Sequence, residues 1–193
     1  NNIISKKIFR NTKILTPKYF VISKDKFKGR DLKRKILINK IKFPIVTKPI
    51  NEGSSLGVKI SRNLKELINN SRSLFKNYGE LIFEQYLGGQ EIQVAVLNKK
   101  PLGAIELVPK RTFYDYKAKY TKKAKTEHIM PAKLTKNKYE EVLKIAKKAH
   151  KVLKCRGVTR SDFKFYKNKF YLLEINTQPG MTSLSLVPEI ANY

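Results

Sequence analysis

Apolar and polar positions follow two different periods along this chain, and each period predicts one kind of element. Apolar residues three or four positions apart predict helices over residues 2–11, 26–42, 64–75, 135–153 and 184–191. Short runs rich in β-branched and aromatic residues predict strands over residues 19–22, 45–49, 58–60, 80–84, 91–97, 102–108, 157–165 and 170–175. Short turns join several of the consecutive strands, so we expect an α+β protein built on antiparallel sheets.

Local sequence signals define the start of one predicted helix and suggest one boundary between subdomains. Asn63 is a predicted N-cap, and Glu66 at the third helical position completes a capping box. A pair of glycines, Gly88 and Gly89, separates the two halves of the pattern. We therefore predict one subdomain over residues 1–88 and a second over residues 89–193.

Composition narrows the class of protein. A chain of 193 residues with 41% hydrophobic residues can bury a core, which excludes a disordered basic tail. We find no apolar run of about 18 residues and no signal peptide, so we expect neither a membrane partner nor export. The single cysteine, Cys155, fits a reducing, cytoplasmic location and is expected in the core.

The net charge of +27 suggests nucleic-acid binding, but the kind and spread of the basic residues argue against it. The chain has 34 Lys and only 8 Arg, whereas recognition of bases relies on Arg. The lysines are also scattered instead of forming a basic block. More information lies in the 15 acidic residues and in the loops beside them.

A loop of small residues follows the strand over residues 45–49 and has the sequence Glu52-Gly53-Ser54-Ser55-Leu56-Gly57. Such a loop can cradle phosphate with its backbone N–H groups, or it can be a plain glycine hairpin turn. Lys48 ends the preceding strand. It is either a clamp for a polyanion or a surface lysine with a buried stem.

Three oxygen-bearing side chains lie on the last two predicted strands. Glu174 and Asn176 are two positions apart and share a face, and Asp162 lies on the adjacent strand. They form either a Mg²⁺ site or a solvated polar face, and their strongly apolar neighbours favour the metal. His128 and His150 lack the spacing of metal ligands, so we expect structural roles for both.

The long stretch over residues 109–125 has no clear period and contains Lys119 and Tyr120. A loop of this length within a compact domain is usually functional or mobile. It could be a lid over phosphate, an aromatic-rich surface loop or a contact for nucleic acid.

In order along the chain, these segments resemble those of the D-alanine–D-alanine ligases, a family of the ATP-grasp superfamily. The matching residues are 43–49 with 52–57, 84–87 with 89–91, 113–120, 160–162, 174–176, and 179–182 with 185–188. The resemblance implies an α+β ATP-grasp fold, in which two α/β subdomains with antiparallel sheets clasp ATP between them. It also implies ligation of two D-alanines through an acylphosphate, for peptidoglycan precursors.

The resemblance also implies a role for each matching residue. ATP would be bound by Lys48, Glu52, Ser55, Glu84, Leu87, Glu91 and Lys119. Two Mg²⁺, or Mn²⁺ in their place, would be held by Asp162, Glu174 and Asn176. Arg160 and Gly180 would stabilise the tetrahedral intermediate, Ser54 and Tyr120 would bridge toward the first D-alanine, and Ser185 and Leu186 would bind the second.

The chain also departs from the family pattern. The 193 residues contain no counterpart of the family's N-terminal domain, and we expect the last helix to be cut short. Asn1-Asn2 stand where an Asp-Lys pair is usual, and Gln85 replaces a common Lys. We therefore expect an ATP and Mg²⁺ site but weak or no ligation by this chain alone, and a homodimer for a full-length form. The alternatives are another ATP-grasp carboxylate–amine ligase and, from a different class, a basic nucleic-acid-binding module.

Overall fold

The computed structural model describes residues 2–52, 56–109 and 126–193, which form two compact units. Unit 1 spans Pro17–Leu87, and unit 2 combines Ile3–Thr16 with residues 88–109 and 126–193. The N-terminal helix thus packs within unit 2, whereas the predicted subdomain boundary at residue 88 places it in the first subdomain. The predictions made for Ser54, Ser55, Lys119 and Tyr120 lie outside the described residues.

The order of helices and strands follows the expected interleaving, except that the strand at Thr126–Ile129 was not predicted. The helices are α1 (Asn2–Asn11), α2 (Leu32–Ile38), α3 (Leu64–Phe75), α4 (Lys136–Val152) and α5 (Leu186–Asn192). The strands are β1 (Tyr19–Ser23), β2 (Ile45–Pro49), β3 (Lys59–Ser61), β4 (Glu80–Gln85), β5 (Gln90–Leu97), β6 (Lys100–Pro109), β7 (Thr126–Ile129), β8 (Val158–Tyr166) and β9 (Lys169–Asn176).

Unit 1 is a four-stranded antiparallel sheet in the order β1-β4-β2-β3, with α2 and α3 packed on one face. Alternate residues of the strands, including Phe20, Ile45 and Phe83, are buried with the apolar faces of the two helices. The predicted N-cap at Asn63 is confirmed at the start of α3, but the Glu66 side chain accepts the N–H of Arg62, the residue before the cap, and not the N–H of Asn63. The Glu66 N–H donates to Asn63 Oδ1 at 2.9 Å, and the Arg62 N–H donates to Glu66 Oε2 at 2.8 Å.

The helix predicted over residues 26–42 is wrong in extent, because only Leu32–Ile38 is α-helical. Two 3₁₀ turns, Lys24–Lys26 and Gly29–Asp31, precede it. The first part of the predicted helix has one apolar anchor, Phe27, whose ring packs 4.7 Å from that of Phe75. That tertiary contact, together with turn-forming glycine and aspartate, sets the path of the chain before α2.

Unit 2 is a five-stranded antiparallel sheet in the order β7-β6-β5-β8-β9. The apolar side of α4 packs on one face, where Val142, Ala146 and Ala149 are fully buried. The strands meet this helix with alternate residues, including Ile92, Val94 and Phe163. The helix predicted over residues 135–153 is thus confirmed, with Thr135 as its N-cap.

Both histidines have structural contacts, as expected. His150 on α4 is 1% exposed, and its Nδ1 lies 2.9 Å from Thr159 Oγ1 on β8. His128 Nδ1 lies 2.7 Å from Glu189 Oε2, which connects β7 to α5.

The expectation of a core position for Cys155 is wrong, because this residue is only half-buried. It lies in the turn after α4, where its N–H donates to the His150 carbonyl at 3.0 Å.

Within the described residues, no helix has both the length and the apolar character needed to cross a membrane.

Gly89 occupies a position that only glycine suits. Its φ is +82°, and a Cβ added there would overlap the carbonyl oxygen of Phe165 on β8. We expect Gly89→Ala to lower the free energy of unfolding by about 2 kcal/mol, measured by urea denaturation. Gly88→Ala is the matched control, because a Cβ at Gly88 would meet no described atom within 4 Å. Equal stabilities for the two variants would contradict this explanation.

The buried His150 predicts a pH dependence of stability. Burial, followed by the positive charge of Lys99, lowers the pKa of His150 below its ordinary value of 6.5, although a backbone hydrogen bond at Cys155 opposes the shift. The unfolded chain therefore takes up a proton first, and stability should fall as the pH drops below about 6.5. We expect the thermal midpoint to fall less between pH 7.5 and 5.5 in His150→Asn than in the unchanged chain. An equal fall in both would exclude His150 as the source.

Candidate functional site

Lys48 of unit 1 is held in a largely buried ion pair. Strands β2 and β4 pair with Val46 opposite Glu84 and with Lys48 opposite Ile82, so Lys48 and Glu84 are diagonal neighbours on one face. Lys48 Nζ lies 2.7 Å from Glu84 Oε2, and the two side chains are 15% and 5% exposed. The ammonium group therefore has a defined position, which a lysine that merely extends into solvent would lack.

This ion pair lies on the sheet face that points away from α2 and α3. Ile45 and Phe83, the odd-numbered neighbours on the same strands, belong to the core under the helices. Ile82 lies on the same face as the ion pair and is also fully buried. The charge is thus fixed in an apolar setting, where an unpaired charge would be costly.

The loop after β2 returns the chain to the sheet as a hairpin, which confirms the predicted arrangement of strands. Ile45 pairs with Ser61, and Thr47 pairs with Lys59. Gly57 has a φ of +71°, and an added Cβ would lie 2.9 Å from Pro49 Cγ, so the turn requires glycine there. Glu52 is half-buried at the start of this loop.

The segment after β4 is fixed by backbone contacts within unit 1. The Gln85 N–H donates to the Lys18 carbonyl at 2.9 Å, and the Tyr86 N–H donates to the Pro44 carbonyl at 3.1 Å. The Gln85 side chain accepts the Lys42 N–H at 2.7 Å and donates to the Lys42 carbonyl at 3.0 Å. Leu87 follows directly and is half-buried. Sequence reasoning missed the bracing role of Gln85, because its partner lies 43 residues away.

Unit 2 presents a polar face on the side of its sheet opposite α4. On β5, Glu91 alternates with the core residues Ile92 and Val94. Glu91 Oε2 lies 3.1 Å from Lys164 Nζ on β8, and both side chains are mostly buried. The predicted ribose-binding carboxylate is therefore oriented by a cross-strand ion pair.

The three candidate metal ligands lie close together on this polar face, on neighbouring strands. In the pairing of β8 with β9, Asp162 is opposite Glu174, and Arg160 is opposite Asn176. Residues opposite each other in an antiparallel pair place their side chains on the same side of the sheet. Two carboxylates and a carboxamide thus project together, from positions 12 and 14 residues apart in the sequence.

Arg160 and Asp162 form a bidentate pair on this face. Arg160 Nε donates to Asp162 Oδ1 at 2.8 Å, and Nη2 donates to Oδ2 at 3.0 Å. The Asn176 Oδ1 accepts the N–H of Gln178 at 3.0 Å. Oxygens that accept one such bond keep lone pairs, so this set of hard oxygen donors fits Mg²⁺ or Mn²⁺. No group of three or more His, Cys, Asp and Glu side chains suited to a metal occurs in the described ranges.

Gln93 is a polar residue of this face that sequence reasoning missed. It lies opposite Asp162 on β5 and is 1% exposed. Among the described atoms, its Oε1 has no hydrogen-bond partner although it is buried. The signal that could have found it is the alternation of Glu91 and Gln93 with Ile92 and Val94.

The segment between β9 and α5 brings Gly180 against Ser185. Ser185 Oγ accepts the Thr182 N–H at 3.1 Å and lies 2.9 Å from Thr182 Oγ1. A Cβ on Gly180 would lie 2.7 Å from Ser185 Oγ, so a larger residue would displace the hydroxyl. Leu186 is the first residue of α5, and its side chain is buried.

Comparison with known families shows a match to the C-terminal part of one family. Residues 8–193 match the model described as "D-ala D-ala ligase C-terminus". A D-alanine–D-alanine ligase of Pelagibacter ubique is 55% identical over 98% of this chain, and one from Wolbachia pipientis wMel is 47% identical over 99%. The chain spans 61% and 59% of these two relatives.

Solved structures give a consistent result. The D-alanine–D-alanine ligase of Bacillus anthracis matches all of this chain with a TM-score of 0.84 and 35% identity, and the chain covers 61% of it. The same enzyme complexed with ATP matches 99% of the chain with a TM-score of 0.80 and 34% identity over 60% of its length. The VanG D-Ala:D-Ser ligase of Enterococcus faecalis matches 99% of the chain with a TM-score of 0.84 and 26% identity, over 56% of its length.

The buried ion pair of unit 1 predicts a large loss of stability when its cation is removed. Lys48→Met would leave the Glu84 carboxylate buried beside an apolar side chain, and we expect unfolding to become easier by about 3 kcal/mol in urea denaturation. Lys59→Met is the matched control, since Lys59 is exposed on the adjacent β3. The double variant Lys48→Met with Glu84→Gln should recover much of the loss. A Lys48→Met chain as stable as the control would contradict a structural role for the pair.

Proposed function

This chain belongs to the D-alanine–D-alanine ligase family, and from that premise we propose that it forms the nucleotide- and metal-binding part of an ATP-dependent ligase that joins two D-alanines. Its fold is the α+β ATP-grasp fold of that family, as expected from the sequence. The observation that carries the proposal is the strand register that brings Asp162, Glu174 and Asn176 to one face beside Arg160.

The proposed reaction has two steps. A carboxylate oxygen of the first D-alanine attacks the γ-phosphorus of ATP, and ADP leaves, which gives an acylphosphate. The free amine of the second D-alanine then attacks the acyl carbon, inorganic phosphate leaves, and the nitrogen loses a proton. The product is D-alanyl-D-alanine, a precursor for peptidoglycan.

In unit 1, we assign the nucleotide to the face that carries Lys48 and Glu84. The buried ammonium of Lys48 would meet ATP phosphate oxygens, and Glu84 would hold that ammonium in place. Glu84 and the segment at Leu87 would contact adenine. Glu52 and Ser55 would contribute from the hairpin loop, and Lys119 would contact the γ-phosphate.

In unit 2, Glu91 would bind the ribose hydroxyls while Lys164 orients it. Asp162, Glu174 and Asn176 would hold two Mg²⁺, or Mn²⁺, which would neutralise charge on the phosphate oxygens during transfer. Arg160, steered by its two bonds to Asp162, would donate to the developing oxyanion, together with the backbone at Gly180.

The substrate contacts complete the proposal. Ser185 and the backbone at Leu186 would bind the carboxylate of the second D-alanine, and the contact of Gly180 with Ser185 Oγ would fix the hydroxyl. Ser54 and Tyr120 would bridge toward the first D-alanine. The partners are thus small molecules and not nucleic acid, and we assign the protein to the cytoplasm, with a homodimer for a full-length form.

A phosphate-release assay tests the proposal. We expect the 193-residue chain to bind ATP with Mg²⁺ but to release little phosphate, and a version completed with an N-terminal domain to release it when D-alanine is added. D-Lactate and D-serine, in parallel, test the choice of acceptor. If D-alanine stimulates neither version, the substrate assignment fails. Steeply salt-dependent DNA binding without ATP binding would instead favour a nucleic-acid-binding module.

A further inference from the structure

Lys6 is a buried lysine, whereas the other lysines that the structure describes are mostly exposed. It lies on α1 and is 1% exposed, whereas its neighbour Lys7 is exposed. Its Nζ donates to the carbonyl of Leu173 on β9 at 3.0 Å. Burial of an ammonium group costs free energy unless the group is hydrogen-bonded, and the bond to the Leu173 carbonyl offsets part of that cost.

The acceptor of this bond lies at an irregularity of the sheet. Asp162 on β8 pairs with Glu174, but the next residue, Phe163, pairs with Leu172. Leu173 is therefore an extra residue on β9, which is the arrangement of a β-bulge. A bulged residue lies outside the regular ladder, and here its carbonyl meets the Lys6 ammonium.

The bulge determines which face of the sheet Glu174 and Asn176 occupy. Phe170 and Leu172 belong to the core under α4, and Ile175 packs against the same core. In a regular strand, residues 170, 172, 174 and 176 would share one face, and Glu174 would point into the core. The extra residue shifts the alternation by one position, so Ile175 takes the core side and Glu174 is opposite Asp162 on the polar side.

The same N-terminal segment contacts β9 a second time. The Leu172 N–H donates to the Leu15 carbonyl at 2.8 Å, one residue before the bulge. β9 lies at one edge of its sheet, so its outer backbone groups are available to this segment. Two contacts from Ile3–Thr16 thus hold the backbone of the two residues that precede Glu174.

We propose that Lys6 is a positioning residue for the metal site, which it serves by holding the β9 bulge that turns Glu174 and Asn176 away from the core. This inference rests on the proposed function, since it concerns the metal that the ligase would use. Lys6 does not touch the metal or the nucleotide in this proposal, and the contact that carries its role is the one to the Leu173 carbonyl.

The test measures metal binding apart from catalysis. Mn²⁺ binding to the 193-residue chain is followed by electron paramagnetic resonance with saturating ADP, at a temperature where circular dichroism shows each variant folded. We expect Lys6→Met, which keeps the apolar stem and removes the amine, to weaken Mn²⁺ binding about tenfold. Lys7→Met is the matched control and should bind as the unchanged chain does, and Glu174→Gln should lose most of the binding.

A second readout and a second variant separate positioning from general stability. Hydrogen exchange should speed up at residues 172–176 in Lys6→Met but not in Lys7→Met, and Lys6→Gln, which keeps an N–H donor, should recover part of the Mn²⁺ affinity. A lower thermal midpoint with unchanged Mn²⁺ affinity would overturn the inference, as would loss of folding in both Lys6 variants. Failure of the unchanged chain to bind Mn²⁺ would instead contradict the proposed function.

Discussion

Side chains on a β-strand alternate between two faces, and this constraint governs where the chain can put its polar groups. In both units, one face of the sheet is covered by helices and takes the apolar residues. The functional candidates Lys48, Glu84, Glu91 and Asp162 fall on the other face because each is an odd number of positions from a core residue on its own strand. Glu174 joins them only because Leu173 interrupts the alternation on β9.

In this chain, which has a net charge of +27, the buried carboxylates of the candidate site are paired with basic side chains. Three candidate carboxylates are mostly buried, and each lies beside a basic side chain: Glu84 with Lys48, Glu91 with Lys164, and Asp162 with Arg160. The pairs reduce the cost of burial and also fix the geometry of both partners. In the proposed function, the pair in unit 1 orients a cation toward phosphate, and the two pairs in unit 2 orient oxygens toward a ribose and a metal.

Sequence reasoning succeeded where the signal is local. Three correct predictions depend on contacts between residues close in sequence. They are the N-cap at Asn63, the amphipathic helix over residues 135–153 and the closing hairpin of β8 and β9. It failed where a distant contact overrides a local preference. The helix predicted from residue 26 is interrupted where Phe27 packs on Phe75. The error at Cys155 has a different cause, because that residue lies in the turn after α4, where a local backbone bond joins it to His150. The bracing of Lys42 by Gln85 joins residues 43 positions apart and leaves no pattern in the sequence.

The sequence by itself determined the family, the α+β class and the identity of the candidate site residues, because these follow from residue types and short spacings. Only the tertiary structure decided which of them meet. The register of β8 against β9 depends on one extra residue, and a shift of a single position reverses every side chain that follows. The buried amine of Lys6 lies 167 positions from the carbonyl that it holds, a separation at which only the folded chain brings two groups together.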